Sequence, residues 1–253
     1  MVTIECRGLW KGFGRKSVLR GLDLVINPGE TVVVIGQSGT GKSVLLKHIV
    51  GLINPDRGSI FIDGVDITKL NRKKLFELRQ RFGMVFQGAA LFDSYTVEEN
   101  VGLALREHTD RPDEEIKTIA EEKLRMVGLE GIGDKSPAEL SGGMKKRVGF
   151  ARAIAMDPEC VLYDEPTTGL DPINADVINN LIVKLAQELK ITSIVVTHDL
   201  ASAYKVADRI VMLHAGKVLF EGTPDEVKEA HHPIVRQFIE GRAEGPIIMG
   251  SAE

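Results

Sequence analysis

The chain has 253 residues, 43% hydrophobic and 27% charged. That suits one large domain or two lobes around an ample core, and it excludes the disordered and fibrous classes. The formal net charge is −4 with both signs interspersed, which excludes the basic footprint of a nucleic-acid binder.

The opening run, MVTIECRGLW, has no charged stretch followed by an apolar one and no Ser/Arg richness. It predicts neither a secretory leader nor a transit peptide. Cys6 and Cys160 lie in no CxxC or Cys/His cluster, so they read as buried thiols of a reducing compartment and not as zinc ligands. The longest apolar runs are strand-sized, well short of the roughly 20 residues of a membrane span. Any membrane role is expected to come through a partner.

ETVVVIG (30–36) predicts a buried strand, and KSVLLKHIVGL a helix directly after it. Between them GQSGTGKS, Gly36 to Ser43, fits GxxxxGK[ST]. Gly36, Gln37, Ser38, Gly39, Thr40 and Gly41 let backbone N–H groups wrap a phosphate chain at a helix start. Lys42 supplies a charge to the β- and γ-phosphates, and Ser43 a hydroxyl to Mg²⁺.

RGSIFIDGVDI (57–67) predicts a hairpin turning at Asp63-Gly64, and RFGMVFQ a strand closed by Gln87. From Gly88 to Met156 no strand is predicted, so a helical lobe (88–156) interrupts the α/β core. Thr96 and Glu99 predict a capping box. RPDEEIKTIAEEKLRMVGL predicts a helix that ends at Gly128. SGGMKKRVGFARAIAM predicts another, opening on Ser141-Gly142-Gly143. That turn reads as a second anion site at a helix start, about a hundred residues from the first. Met144, Val148, Ala151 and Ala155 give this helix a buried stripe.

CVLYDE (160–165) is an apolar strand ending in two acids. Strand alternation predicts opposite faces for them and therefore different roles. Asp164 suits the Mg²⁺ shell, and Glu165 the general base for an attacking water. Asp171 caps a helix with Pro172 at its first position, and Ile173, Val177, Leu181 and Leu185 follow at i+4 spacing. TSIVVTHD (192–199) predicts a strand closed by His198. Gln87 and His198 then share the sheet edge where ligands bind, Gln87 toward the metal or water and His198 toward the γ-phosphate. A hairpin at 209–222 turns at Ala215-Gly216. Thr223 and Glu226 form a second capping box, and a further helix spans about 233–239. His231-His232 reads as surface. The tail ends in an apolar PIIMG, which reads as a docking segment or a frayed end. Strand–helix alternation predicts an α/β sheet with helices on both faces.

GQSGTGKS, Gln87, LSGGM, CVLYDE, TTGLDP and His198, in this order, resemble an ATP-binding cassette ATPase over about residues 3–222. The resemblance implies an α/β P-loop NTPase fold: a RecA-like core, an N-terminal antiparallel β subdomain and an inserted helical subdomain. It divides the chain into an ATPase domain (1–222) and a C-terminal extension (223–253). It implies ATP hydrolysis with ATP and Mg²⁺ as cofactors. Phe13 stands where the family stacks an aromatic on adenine; Trp10 competes, although it reads as a strand packing residue. The family also works as a head-to-tail homodimer, each ATP lying between one chain's phosphate loop and the other's Ser141, Gly142 and Gly143. Asp171 then sits where it senses the opposite chain. Met144 stands where the signature usually has Gln.

FQGAALFDSYTVEENVGLALREHT (86–109), ELSGGMKKRVGFARAIAMDPE (139–159) and VRQFIEGRAEGPI (235–247) resemble the ATPase of bacterial Mla-type systems, which move phospholipids between inner and outer membranes. That likeness implies an integral-membrane permease docked on the run after Gln87, an MCE-domain lipid-binding protein and a STAS-domain regulator. It places the chain on the cytoplasmic face of a bacterial inner membrane, with the extension against a neighbouring ATPase or the regulator. The alternatives are an importer ATPase for a small solute, a soluble non-transport ATPase, and a non-hydrolytic nucleotide-binding regulator.

Overall fold

The computed structural model describes residues 1–247. An antiparallel sheet holds β1 (Ile4–Phe13), β2 (Lys16–Ile26), β4 (Arg57–Ile62) and β5 (Val65–Asp66), in the order β2-β1-β4-β5. A six-stranded sheet holds β3 (Thr31–Ile35), β6 (Phe82–Val85), β7 (Cys160–Asp164), β8 (Thr192–Val196), β9 (Arg209–His214) and β10 (Lys217–Gly222), in the order β10-β9-β3-β8-β7-β6. Its neighbours pair in parallel except β9 with β10, which form the hairpin expected at 209–222.

The inner strands are apolar through most of their length because both faces are covered. Val33, Ile35, Val161, Tyr163 and Val195 enter one core. Their alternating neighbours Val32, Val34, Leu162, Ile194 and Val196 enter the other. Helices α3 (Val97–His108), α4 (Asp113–Met126), α5 (Gly142–Ala153), α6 (Pro172–Leu189) and α7 (Leu200–Val206) contribute to the first. The second face bears a helix, as expected, and also a sheet. It is covered by α1 (Lys42–Ile49) together with the antiparallel sheet, whose inward residues Ile4, Leu22, Ile26 and Ile60 do what a helix layer would do.

Between β6 and β7 the described elements are helical. The Thr96–Glu99 capping box forms at the start of α3. Helix α5 ends at Ala153, three residues before Met156. Its end meets β6 so closely that a Cβ on Gly83 would lie 2.2 Å from the Ala153 carbonyl oxygen. The run after Gln87 is held from two sides. Arg152 donates to the carbonyls of Ala89 and Ala90 at 2.6 Å each, and buried Asn100 closes a ring of bonds with Phe92, Tyr95 and Thr96. A hollow on this side lies between α2 (Arg72–Arg79), α3 and β6. It measures about 280 Å³ and is lined by Phe76, Met84, Ala104, His108 and Met156 among others.

Two packing expectations are corrected. In α6, Ile173 and Val177 are 78% and 44% exposed, and the buried stripe runs through Ile178, Leu181, Ile182 and Leu185. A helix turns 3.6 residues per turn, so a strict i+4 row drifts off the buried face. Trp10 is 42% exposed and lies across Gly21 on the sheet surface, so it is not a packing residue of the interior.

Helices α8 (Pro224–Glu229) and α9 (Pro233–Glu240) follow β10, and the second capping box forms at Thr223. Buried Gln237 of α9 accepts from Ile247 N at 2.6 Å and donates to Ile247 O at 3.1 Å. The described part of the apolar tip is therefore docked on its own chain; the rest, from residue 248, lies outside the described residues. Among the described residues no helix is long and apolar enough to cross a membrane.

Candidate functional site

A cavity of about 630 Å³ opens at the carboxyl end of β3, lined by Phe13, Lys16, Val18, Ser38, Gly39, Gly41, Lys42, Ser43, Val44, Gln87, Glu165 and His198. Residues predicted from the phosphate motif, β6, β7 and β8 thus meet in one place, at the strand ends where an open α/β sheet binds ligands.

The loop from Gly36 to Gly41 has to follow a left-handed path, with φ of +148°, +79° and +100° at Gly36, Gly39 and Gly41. A Cβ on Gly36 would also lie 2.5 Å from the Leu213 carbonyl oxygen. Only glycine fits there. Thr40 closes the loop on Gln37 O at 2.8 Å through its hydroxyl. Lys42 is buried and donates to Gly36 O and Gln37 O at 2.8 and 3.1 Å. Burial lowers its pKa, against the raising pull of the Glu165 and Asp164 charges. Its cation is held by two neutral carbonyls, an arrangement that an anionic phosphate oxygen would improve.

Ser43 Oγ donates to Asp164 Oδ1 at 2.7 Å. A hydroxyl and a carboxylate side by side form an oxygen donor set for a hard cation. Among the described residues no group of three or more His, Cys, Asp or Glu could hold a metal. A hydroxyl and one carboxylate suit Mg²⁺ brought in with phosphates, an ion that keeps few protein ligands.

The separation of Asp164 and Glu165 has a different cause from the one expected. Strand β7 ends at Asp164. Glu165 takes φ +52°, and its N–H donates to Val196 O at 2.9 Å. A left-handed kink, pinned to β8, turns Glu165 toward the cavity where strand alternation was expected to do so. Non-glycine residues adopt this conformation at a cost, and such strain gathers at functional sites. Glu165 is half-buried. Its Oε2 lies 2.8 Å from His198 Nδ1 and accepts from Thr168 Oγ1 at 3.1 Å. The direct contact between the two predicted residues was not legible, because 33 residues of sequence separate them.

Phe13 is half-exposed on the cavity wall beside Val18 and Lys16. Trp10 does not line it. Sequence reasoning missed Lys16. It also missed Lys146, a buried residue of α5 whose Nζ donates to Gln87 O at 3.1 Å and whose pKa burial lowers. A lysine in a run of basic residues gives no hint of which member turns inward.

Ser141, Gly142 and Gly143 lie outside the cavity lining. Ser141 caps α5, its Oγ accepting from Met144 N at 3.2 Å. Met144 is half-buried against the helical core. A Cβ on Gly143 would come within 3.3 Å of Asn174 Oδ1, whereas one on Gly142 would meet nothing within 4 Å, and Gly142 shows no positive φ. Nothing within this chain requires glycine at 142. Asp171 caps α6, accepting from Ile173 N and Asn174 N at 3.0 Å each. The Asn174 amide is the largest of the bonds that hold its pKa low.

The ABC transporter family profile matches residues 19–168. The chain is 44% identical over 248 residues to the "Probable ribonucleotide transport ATP-binding protein mkl" of Mycobacterium tuberculosis, covering 98% of this chain and 69% of that protein. It is 41% identical over 244 residues to the "Intermembrane phospholipid transport system ATP-binding protein MlaF" of Haemophilus influenzae, covering 96% and 92%. The solved dimeric structure of MJ0796, a bacterial ABC transporter cassette, superposes with a TM-score of 0.81 at 35% identity, covering 87% of this chain and 98% of that one. The chain belongs to the ABC transporter family, as an ATP-binding cassette ATPase.

Proposed function

We propose that the chain is the ATP-hydrolysing subunit of a phospholipid transporter working between two membranes. The observation that carries the hydrolytic half is the pinned Glu165–His198 pair facing the phosphate loop across one cavity. The loop and Lys42 would hold the phosphates. Ser43, Asp164 and Gln87 would hold Mg²⁺, which when bound supplies charge neutralisation. Glu165 would take the proton of the attacking water, with His198 orienting its carboxylate. Phe13 would stack on the base. Ser141, Gly142 and Gly143 would reach the nucleotide of a second copy, which fits their place outside this chain's own cavity, and Asp171 would face that copy.

The cargo reading rests on likeness to the MlaF protein. That match covers 96% of the chain, so it runs well into the segment beyond Gly222. The permease would seat against α2, α3 and β6, where Phe76 is 48% exposed beside the hollow. An MCE-domain protein and a STAS-domain regulator are the further partners, and the cytoplasmic face of a bacterial inner membrane is the location. The printed name of the mycobacterial relative supplies a second cargo, ribonucleotides.

Glu165→Gln should bind ATP yet lose nearly all turnover, a fall of about 10³-fold or more if it is the base acting in a positioned site. Hydrolysis at the normal rate would remove Glu165 from that role. Pull-down of the tagged chain from membranes should recover a permease with bound phospholipid. Recovery of nucleotide cargo without phospholipid would favour the second reading.

A further inference from the structure

Behind the Glu165–His198 pair lies a buried polar cluster that the hydrolytic reading does not use. Thr167, Asn179 and Ser202 are 6%, 5% and 2% exposed. They come from the turn after Glu165, from α6 and from α7. Ser202 Oγ lies 2.5 Å from Asp199 Oδ2, 2.9 Å from Asn179 Nδ2 and 3.4 Å from Thr167 Oγ1.

Chemistry fixes the direction of each bond. A carboxylate accepts and does not donate, so Ser202 gives its single proton to Asp199. Its lone pairs are then left to accept, one from the Asn179 amide and one from the Thr167 hydroxyl. The same logic fixes the amide: Nδ2 faces Ser202, and Oδ1 points to a place where it has no partner. A buried unpaired amide oxygen costs stability. An apolar residue of similar size would avoid that cost, so the amide's use here is its donor.

We propose that Ser202 is a positioning residue for hydrolysis. It ties the loop of Glu165, through Thr167, to the loop of His198, through Asp199, and Asn179 anchors both to α6. This rests on Glu165 and His198 acting as base and partner. The linkages are short: Thr167 is two residues after Glu165, and Asp199 follows His198 directly. Asp199 N also donates to Thr197 Oγ1 at 3.0 Å, which holds the His198 turn closed. None of Thr167, Asn179 and Ser202 lines the nucleotide cavity. Loosening the cluster should therefore misplace the reacting groups without touching the bound nucleotide.

The test compares Ser202→Ala and Asn179→Val, each in the full chain with its membrane subunits, for ATP turnover and melting temperature. Ser202→Ala should lower kcat about ten- to hundredfold at unchanged KM, because small misplacements of reacting groups cost that much. It should also melt lower, having left two donors unpaired. Asn179→Val sets the two roles apart. It removes the unpaired oxygen, so the melting temperature should stay or rise, while kcat falls about tenfold at unchanged KM. Wild-type kcat in Asn179→Val, or in folded Ser202→Ala, would overturn the proposal. If Ser202→Ala does not fold, Asn179→Val decides alone. Glu165→Gln run beside them keeps the premises apart: normal turnover there would remove the base, whichever way Ser202 behaves.

Discussion

Glu165 shows how far residue types alone can carry a site. Two acids at the end of an apolar strand, CVLYDE, are what single it out as a candidate in the sequence. The kink that aims Glu165 is a backbone event at φ +52°, set by its bond to Val196, 31 residues on in the chain (196 − 165). No local pattern encodes that. Gly142 is the converse: the sequence shows a glycine, and the structure shows that this chain makes no use of its smallness. Met144 is half-buried, so its side chain contributes packing, while its N–H serves Ser141 whatever the side chain. Met144→Gln should therefore keep hydrolysis within about tenfold and cost about 1 kcal/mol of stability, as for a partly buried apolar group made polar. Steady-state turnover and a melting curve check this. Abolished turnover would show that position 144 does more than pack.

At the scale of elements, caps and turns were legible because their chemistry is local. Both Thr–x–x–Glu capping boxes and the Asp171 cap form as the spacing predicts. Faces were less legible. The i+4 row of α6 begins at residues that the structure leaves exposed, because which stripe is buried depends on what packs there. The antiparallel sheet shares with α1 a face that alternation alone would have given to helices. The contact of β6 with the end of α5 is a backbone approach that no side-chain pattern announces. Gly83→Ala would push a Cβ to 2.2 Å from the Ala153 carbonyl oxygen. Its backbone must shift, at a cost of about 2–3 kcal/mol. Thermal unfolding should show this as a loss of several degrees, and an unchanged melting temperature would mean that the helical insert is not seated on β6 as described.

At the scale of the whole molecule, the two sheets are joined by charge as well as by a shared core. Arg81 binds Asp63 on the antiparallel sheet's turn and Glu159 at the foot of β7, and the N-terminal amine also reaches Glu159. The Arg81 bond, more than the amine, holds the Glu159 pKa down to about 2. A depressed carboxylate stabilises the fold above its ordinary range, and that contribution is lost as pH falls toward about 2. Glu159→Gln should therefore melt with a weaker pH dependence between about 4.5 and 2. Because the pair is partly exposed, the effect is screened and should shrink in high salt. Identical pH profiles would show that the link contributes nothing.

The central proposal also belongs to this scale: the nucleotide site would be half-built in one chain, since Ser141, Gly142 and Gly143 lie away from the cavity that contains Lys42 and Glu165. The solved MJ0796 cassette, similar over 87% of this chain, is dimeric. Light scattering on Glu165→Gln with ATP and Mg²⁺ is the most direct measurement. A dimer that forms with ATP, is absent without nucleotide and is lost when Ser141→Arg is added is the predicted result. A chain that saturates with ATP and stays monomeric would contradict it.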